Sequence, residues 1–263
     1  MTDKLTPWDR VKLARKIDRP TSSDYISKVF DSFIELHGDR YYGDDSAVVA
    51  GIAKYNYQSI TVIAQQKGKN IKENKKRNYG MPKPEGYRKA LRLMKQAEKF
   101  KRPIILLIDT PGAFCGIEAE ERGQGEAIAK NLYEMSSIKV PILSIVIGEG
   151  GSGGALAFGV SNEVWMLKNS IYSVISPEGF ASIIWKDGKR APEAADLLKL
   201  TAHDLIRLKI IDKVIDEPDE FTVDSMDNLV NDIKTQIQQF LDSHIKMTEE
   251  EIVSSRYNRF RTL

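Results

Sequence analysis

One cysteine and three histidines in 263 residues leave little material for thiol or metal chemistry. A lone Cys115 can form no internal disulfide and no cysteine-based zinc finger, and it agrees with a reducing compartment. Charge of one sign is also missing. The 39 Lys and Arg residues stand against 37 Asp and Glu, a formal net charge of +2, so nothing global argues for nucleic acid. No apolar stretch approaches the roughly 20 residues that a membrane helix needs. The first residues, Met1 to Trp8, carry no apolar signal core. The expectation is a soluble cytoplasmic protein. Hydrophobic residues make up 41% of the chain, enough for a sizeable core in one large domain or two small ones. No internal repeat and no linker is visible.

Glycine, by contrast, is concentrated. Five of the seven residues from Gly148 to Gly154 lack a side chain. The apolar run Ile142–Ile147 precedes them and the small-residue run Ala155–Val160 follows, which predicts a buried strand, a glycine turn and a helix. Glycine costs conformational entropy, so such clustering needs a reason. Access is one: bare backbone N–H groups at a helix N-terminus attract negative charge and can hold a developing oxyanion. Tight packing of helix on strand is the other. A second segment repeats the grammar. Arg102–Ile108 reads as a buried strand that ends in Asp109-Thr110-Pro111-Gly112-Ala113-Phe114-Cys115-Gly116. A helix is expected from near Glu118 through Glu126, Ile128, Leu132 and Met135. Two such units in tandem place two backbone-lined corners side by side.

Elsewhere, residues 7–40 read as amphipathic helix interrupted near Arg19-Pro20, with Thr21 to Asp24 as a cap. Residues 47–64 read as two strands joined near Asn56-Tyr57-Gln58. Lys67–Tyr79 reads as a basic loop, with six cations and one acid between Lys67 and Arg77. It is either a solvated loop or a surface for an acidic partner or for phosphates. Glu85–Phe100 is expected to be a helix with Ala90, Leu91, Leu93, Met94 and Ala97 inward. Val164–Leu167 and Ile171–Ile175 read as short strands. Residues 178–215 read as mainly helical, 222–244 as a long helix, and Thr248-Glu249-Glu250-Glu251 as a capping box for a terminal helix.

Two further readings of the glycine turn compete. Gly150-Gly151-Ser152-Gly153-Gly154 matches the Gly-x-Ser-x-Gly elbow of serine hydrolases, with Asp196 then His203, or Asp216 then His244, as downstream partners. A phosphate-binding loop is excluded, because Gly154-Ala155 stands where Gly-Lys-Ser/Thr is required. Glu149 is open to acid–base work or to a helix-terminal role. Trp185–Arg190 reads as an exposed turn or as a flap over a ligand.

Five motifs occur in order: Gly80-Met81-Pro82-Lys83-Pro84-Glu85-Gly86-Tyr87-Arg88-Lys89-Ala90, Asp109-Thr110-Pro111-Gly112, Glu120-Glu121-Arg122-Gly123-Gln124, Gly148–Gly154, and Tyr172-Ser173-Val174-Ile175-Ser176-Pro177-Glu178-Gly179. As a set they closely resemble the alpha subunits of bacterial acetyl-CoA carboxylase carboxyltransferases, over nearly the whole chain. One departure is Phe114-Cys115, where the family carries Tyr-Pro. The resemblance implies an α/β, crotonase-like fold in one domain, with a core at 46–215 and helical extensions at 1–45 and 216–263. It implies transfer of a carboxyl group from carboxybiotin, held on a biotin carboxyl carrier protein, to acetyl-CoA, giving malonyl-CoA for fatty-acid synthesis. It further implies a separate zinc-containing beta subunit, an α2β2 assembly and no metal in this chain. Such chemistry develops negative charge on the ureido and thioester oxygens, and oriented N–H donors suit it better than a side-chain base. On that basis Gly150, Gly151, Gly153, Gly154, Gly112 and Gly116 are the candidate catalytic positions. Ala113, Phe114, Glu149, Ser152, Lys69 and Lys72 are the candidate substrate-binding ones. A noncatalytic scaffold subunit is the alternative outside the enzymes.

Overall fold

The structure, a computed structural model, describes residues 5–262; Met1 to Lys4 of the Met1–Trp8 stretch, and Leu263, lie outside the described residues. Two short helices open the chain, Pro7–Ala14 and Ser22–Val29. Each starts at a threonine whose backbone N–H donates to an aspartate three residues on, Thr6 to Asp9 and Thr21 to Asp24. The helical reading of residues 7–40 fails beyond that point. Phe30 is extended and Ser32–Glu35 forms a strand, β1. Here a sheet edge takes the chain over from local amphipathicity, because β1 pairs antiparallel with the next strand.

The remaining strands are β2 (Val48–Tyr55), β3 (Gln58–Gln65), β4 (Ile104–Thr110), β5 (Ile142–Gly151), β6 (Glu163–Leu167), β7 (Ile171–Ser173) and β8 (Lys213–Ile215). They form a mixed sheet in the order β1-β2-β3-β4-β5-β6-β8, with β7 pairing beside the far end of β5. From β3 onward every pairing between these strands is parallel. The carboxyl ends of β3, β4 and β5 therefore lie together, which is where open parallel sheets expose loops to ligands.

Both faces of the sheet are covered, which explains the unbroken apolar runs. Along β4, Ile105 and Leu107 pack with the Ser22–Val29 helix and with the Asp227–His244 helix. Ile104, Leu106 and Ile108 pack on the other side with the helices Pro84–Lys99 and Gln124–Ser137. The helix expected from Glu118 onward is two helices, Ile117–Glu121 and Gln124–Ser137. Gly123, at φ 81°, breaks them apart in a left-handed conformation that glycine adopts readily. The basic stretch is not all loop. Ile71–Lys76 is a helix capped by the Asn70 side chain, followed by a 3-10 turn at Asn78–Gly80. Among residues 178–215, helices Pro177–Trp185, Ala191–Leu198 and Ala202–Arg207 precede β8.

The Glu249–Arg261 helix is anchored by Arg256, which is buried. Its guanidinium donates to the carbonyls of Met135, Ile138 and Val140 and to Asn162 Oδ1, at 2.7 to 3.0 Å. These acceptors include the end of the Gln124–Ser137 helix, where carbonyls lack intrahelical partners. Arg256→Met should cost about 3 kcal/mol, since it leaves buried carbonyls unpaired. Urea unfolding checks this, and an unshifted midpoint would contradict the anchoring role.

Candidate active site at the glycine corner

The site begins with a register fault. Ile108 of β4 pairs with Val146 of β5, and the next pairing joins Thr110 to Gly150. Asp109 alone thus stands opposite Ile147, Gly148 and Glu149. The bulge bends β5 away from β6 and onto β7, where Gly150 and Gly151 pair with Tyr172 and Ser173. Asp109 fills the gap: its Oδ1 accepts the Glu149 backbone N–H at 2.9 Å. A Cβ on Gly148 would overlap that carboxylate.

The two glycine corners meet backbone to backbone. A Cβ on Gly151 would overlap the Pro111 carbonyl, and one on Gly154 would lie 2.5 Å from the Gly112 carbonyl carbon and 2.6 Å from the Ala113 nitrogen. One on Gly150 would lie 2.8 Å from the Tyr172 ring. For these three positions packing is sufficient reason for glycine. Gly153 differs, since a Cβ there meets only Ile128 Cγ2, at 3.8 Å. Gly112 has open space but φ 154°. Gly116 abuts the Phe114 ring.

The helix that follows spans only Ser152–Leu156. A long dipole is therefore not what this corner offers; individual N–H groups of its first turn are. Ser152 opens that helix at φ 52° and is exposed. The backbone is elbow-like, but among the described residues no histidine hydrogen-bonds to Ser152. Among the described residues His37 sits 2.9 Å from Asp44, and His244 sits 2.8 Å from the Phe240 carbonyl. His203 lies in the Ala202–Arg207 helix, its pKa lowered by burial and by Arg10 and Lys168. Beside the corner opens a mainly apolar cavity of about 330 Å³, walled by Ser152, Gly153, Leu156, Tyr172, Val174 and Leu198 among others.

Glu149 is not at the helix terminus. It lies within β5, is buried, and is held by two cations. Lys67 Nζ stands 2.7 Å from one of its oxygens and Arg15 Nε 2.7 Å from the other. Lys67 also reaches Asp109 at 2.8 Å. Burial alone would raise the Glu149 pKa, but Lys67 and Arg15 hold it below the usual carboxylate value. Burial likewise opposes charge on Lys67, and Asp109 with Glu149 overcomes it.

Of the other sequence candidates, Ala113 and Phe114 line the Pro111–Gly116 loop. The Phe114 N–H donates to Pro82, and Lys83 stands over its ring at 4.8 Å. Cys115 is exposed. Lys69 pairs with Asp24 at 2.6 Å, away from the corner, and Lys72 is exposed on the Ile71–Lys76 helix. Trp185 and Arg190 stack on one another at 4.0 Å. Among the described residues no group of His, Cys, Asp and Glu could hold a metal ion. Lys67, Arg15, Tyr172 and Val174 are not among the candidate site residues read from the sequence, although Tyr172 and Val174 lie in a quoted motif and Lys67 opens the basic stretch. For Lys67 a signal existed: a cation two residues past β3, at the same carboxyl end of the sheet as Asp109 and Glu149.

A family profile described as acetyl co-enzyme A carboxylase carboxyltransferase-like matches residues 1–263. The chain belongs to that family. It is 57% identical over 262 residues to the acetyl-coenzyme A carboxylase carboxyl transferase subunit alpha of Clostridium acetobutylicum, covering 100% of this chain and 96% of the relative. It is also 58% identical over 260 residues to a Natranaerobius thermophilus protein named as joined beta/alpha subunits, of which it spans 43%. Membership as an alpha subunit implies a beta partner. Two solved structures share the crotonase-like fold. One is transcarboxylase 12S, at TM-score 0.70 and 21% identity, covering 89% of this chain and 44% of that one. The other is a Pseudomonas malonate decarboxylase hetero-tetramer in complex with coenzyme A, at TM-score 0.70 and 16% identity, covering 91% and 94%.

For this carboxyltransferase alpha chain the geometry separates two glycines that look alike in sequence. Gly151→Ala should destabilise the protein by about 1–3 kcal/mol, as an overpacked site does. Gly153→Ala has room within a helix and should be neutral or stabilising by up to about 1 kcal/mol. Thermal unfolding of both variants checks the contrast; equal losses would contradict it.

Proposed function

We propose that this chain forms the carboxybiotin-handling half of an acetyl-CoA carboxyltransferase that makes malonyl-CoA for fatty-acid biosynthesis in the cytoplasm. Residues 46–215 carry the site, with the flanking segments 1–45 and 216–263 as extensions of a single domain. No helix among the described residues is long and apolar enough to cross a membrane. The observation that carries the reading is the pairing of open backbone at Ser152 and Gly153 with the cavity beside it. A ring with apolar flanks and one carbonyl oxygen fits such a wall, with its oxygen toward the N–H groups.

Carboxybiotin, delivered by a biotin carboxyl carrier protein, would supply the carboxyl group. The chain's own residues orient and stabilise. N–H groups of the Gly150–Gly154 corner hold negative charge on the ureido oxygen, and the Pro111–Gly116 loop packs against that corner from behind Gly151 and Gly154. Leu156, Val174 and Leu198 exclude water from the apolar side. Lys69 and Lys72 extend a basic surface for an anionic ligand or partner. The thioester oxygen of acetyl-CoA is stabilised by a zinc-containing beta subunit in an α2β2 assembly.

Malonyl-CoA formation from acetyl-CoA and carboxybiotin, with and without the beta subunit, tests this. The isolated chain should show negligible turnover and the complex should be active. Within the complex, Gly153→Val places a branched side chain where the ligand approaches the N–H groups, so it should lower kcat by about 10²–10³, as much as losing an oxyanion donor, while binding the beta subunit normally. Ser152→Ala keeps every backbone N–H and should retain most activity. Loss with Ser152→Ala and not with Gly153→Val would overturn the backbone-donor reading and place the chemistry on the Ser152 hydroxyl.

A further inference from the structure

The corner can present N–H groups only if the bulge that precedes it keeps one shape. The β4–β5 ladder does not fix that shape, because Asp109 faces three residues without regular pairing. β7 holds one side of the segment by pairing with Glu149, Gly150 and Gly151, and side chains hold the side toward β3 and β4. We propose that Lys67 is a positioning residue for carboxyl transfer: with Asp109, Glu149 and Arg15 it locks the β5 bulge and so sets the aim of the Gly150–Gly154 backbone. This inference rests on the function proposed above.

Each contact ties a different element to the bulge. Asp109, at the end of β4, accepts the Glu149 N–H and Lys67 on the same oxygen, Oδ1. Lys67 arrives from the end of β3 and joins both carboxylates. Arg15, just after the Pro7–Ala14 helix, takes the remaining Glu149 oxygen and continues to Glu178 at 2.5 Å. Glu149 immediately precedes Gly150, so a shift in its backbone passes directly to the donors. The lysine stem is itself enclosed: Gly80, at φ 78°, lies so close that a Cβ would stand 2.7 Å from Lys67 Cγ. The Lys67 side chain is 18% exposed, against 50% for Lys69 in the same basic stretch. Lys67 is thus set apart from the solvated cations around it. Its ammonium is engaged by two carboxylates, which suits a positioning role rather than proton transfer.

Without the lysine, Asp109 and Glu149 would confront each other as like charges in a buried site. Arg15 would still face Glu149, with Glu178 beyond it. Arg19, which donates to the Ile147 carbonyl and pairs with Glu217, and the Tyr25 hydroxyl are the other polar groups near Asp109. A proton taken up by Glu149 would relieve the repulsion and partly replace the ammonium bridge.

The test uses the complex with the beta subunit. Lys67→Met should lower kcat by about 100-fold, the scale of an ångström misplacement of catalytic groups, with KM for acetyl-CoA changed by less than about 2-fold. Its kcat relative to the parent should rise several-fold when the pH is lowered from about 8 to about 6. Lys67→Met combined with Glu149→Gln removes the repulsion and should recover about 10-fold over the single variant; Lys67→Arg should recover at least as much. Parental kcat in Lys67→Met at both pH values would overturn the proposal. So would a loss that neither pH nor the second substitution relieves, which would make Lys67 a direct participant. If Lys67→Met fails to fold, the double variant and Lys67→Arg carry the same comparison. An inactive parent complex would instead defeat the proposed function and leave this network unaddressed by any activity difference; the Glu149 carboxyl titration of Lys67→Met, followed by carbon-13 NMR, then decides it, with an unmoved titration counting against the network.

Discussion

Backbone lies directly on backbone where Pro111–Ala113 meets Gly151–Gly154, and most of the molecule is arranged around that contact. The approach leaves no room for a Cβ at Gly151 or Gly154. The approach also requires β5 to leave its straight course. A parallel ladder with even register would carry Glu149 and Gly150 alongside β6, away from the Pro111 loop. The bulge opposite Asp109 redirects them to β7, and β7 then supplies Tyr172 and Ser173 to the cavity wall, with Val174 just beyond it.

Buried charge is the cost of that redirection and the means of controlling it. Three ionised side chains lie at the carboxyl ends of β3, β4 and β5, where burial disfavours charge on each of them taken alone. Taken together they alternate in sign at 2.7 to 2.8 Å, and Arg15 closes the set from the N-terminal segment. That segment is therefore more than a cover for the core. Arg10, Arg15 and Arg19 reach Asn169, Glu149 and Glu217 respectively, each on a loop or strand end beside the site. The catalysis proposed here, by oriented N–H groups, would need this kind of rigidity, because such donors have no side-chain freedom with which to correct a misplaced backbone.

Much of the fold was legible because the parallel strands are buried on both faces. Ile104–Ile108 and Ile142–Ile147 stand out as apolar runs in any context. Capping chemistry was equally local: Thr21 with Asp24 and Thr248 with Glu251 mark helix starts within four residues. Misreadings arose where a distant partner decided the outcome. Phe33 has a helical neighbourhood, but a free sheet edge at β2 made its segment a strand. Lys67 sits in a run of cations, and only the fold brings Asp109 and Glu149, far along the chain, within reach of it.

By itself, then, the sequence determined the strand–turn–helix grammar, the concentration of glycine at two corners and the family to which the chain belongs, since composition and ordered motifs are properties of the chain alone. The tertiary structure decided which glycines serve packing and which leave access. It showed that Glu149 is a buried strut and not a helix cap, and that no histidine hydrogen-bonds to Ser152 among the described residues. The reason is that each of these depends on distances across the sheet. A Cβ is forbidden at Gly151 and allowed at Gly153 because of where the Pro111 carbonyl lies, and no local pattern records that position.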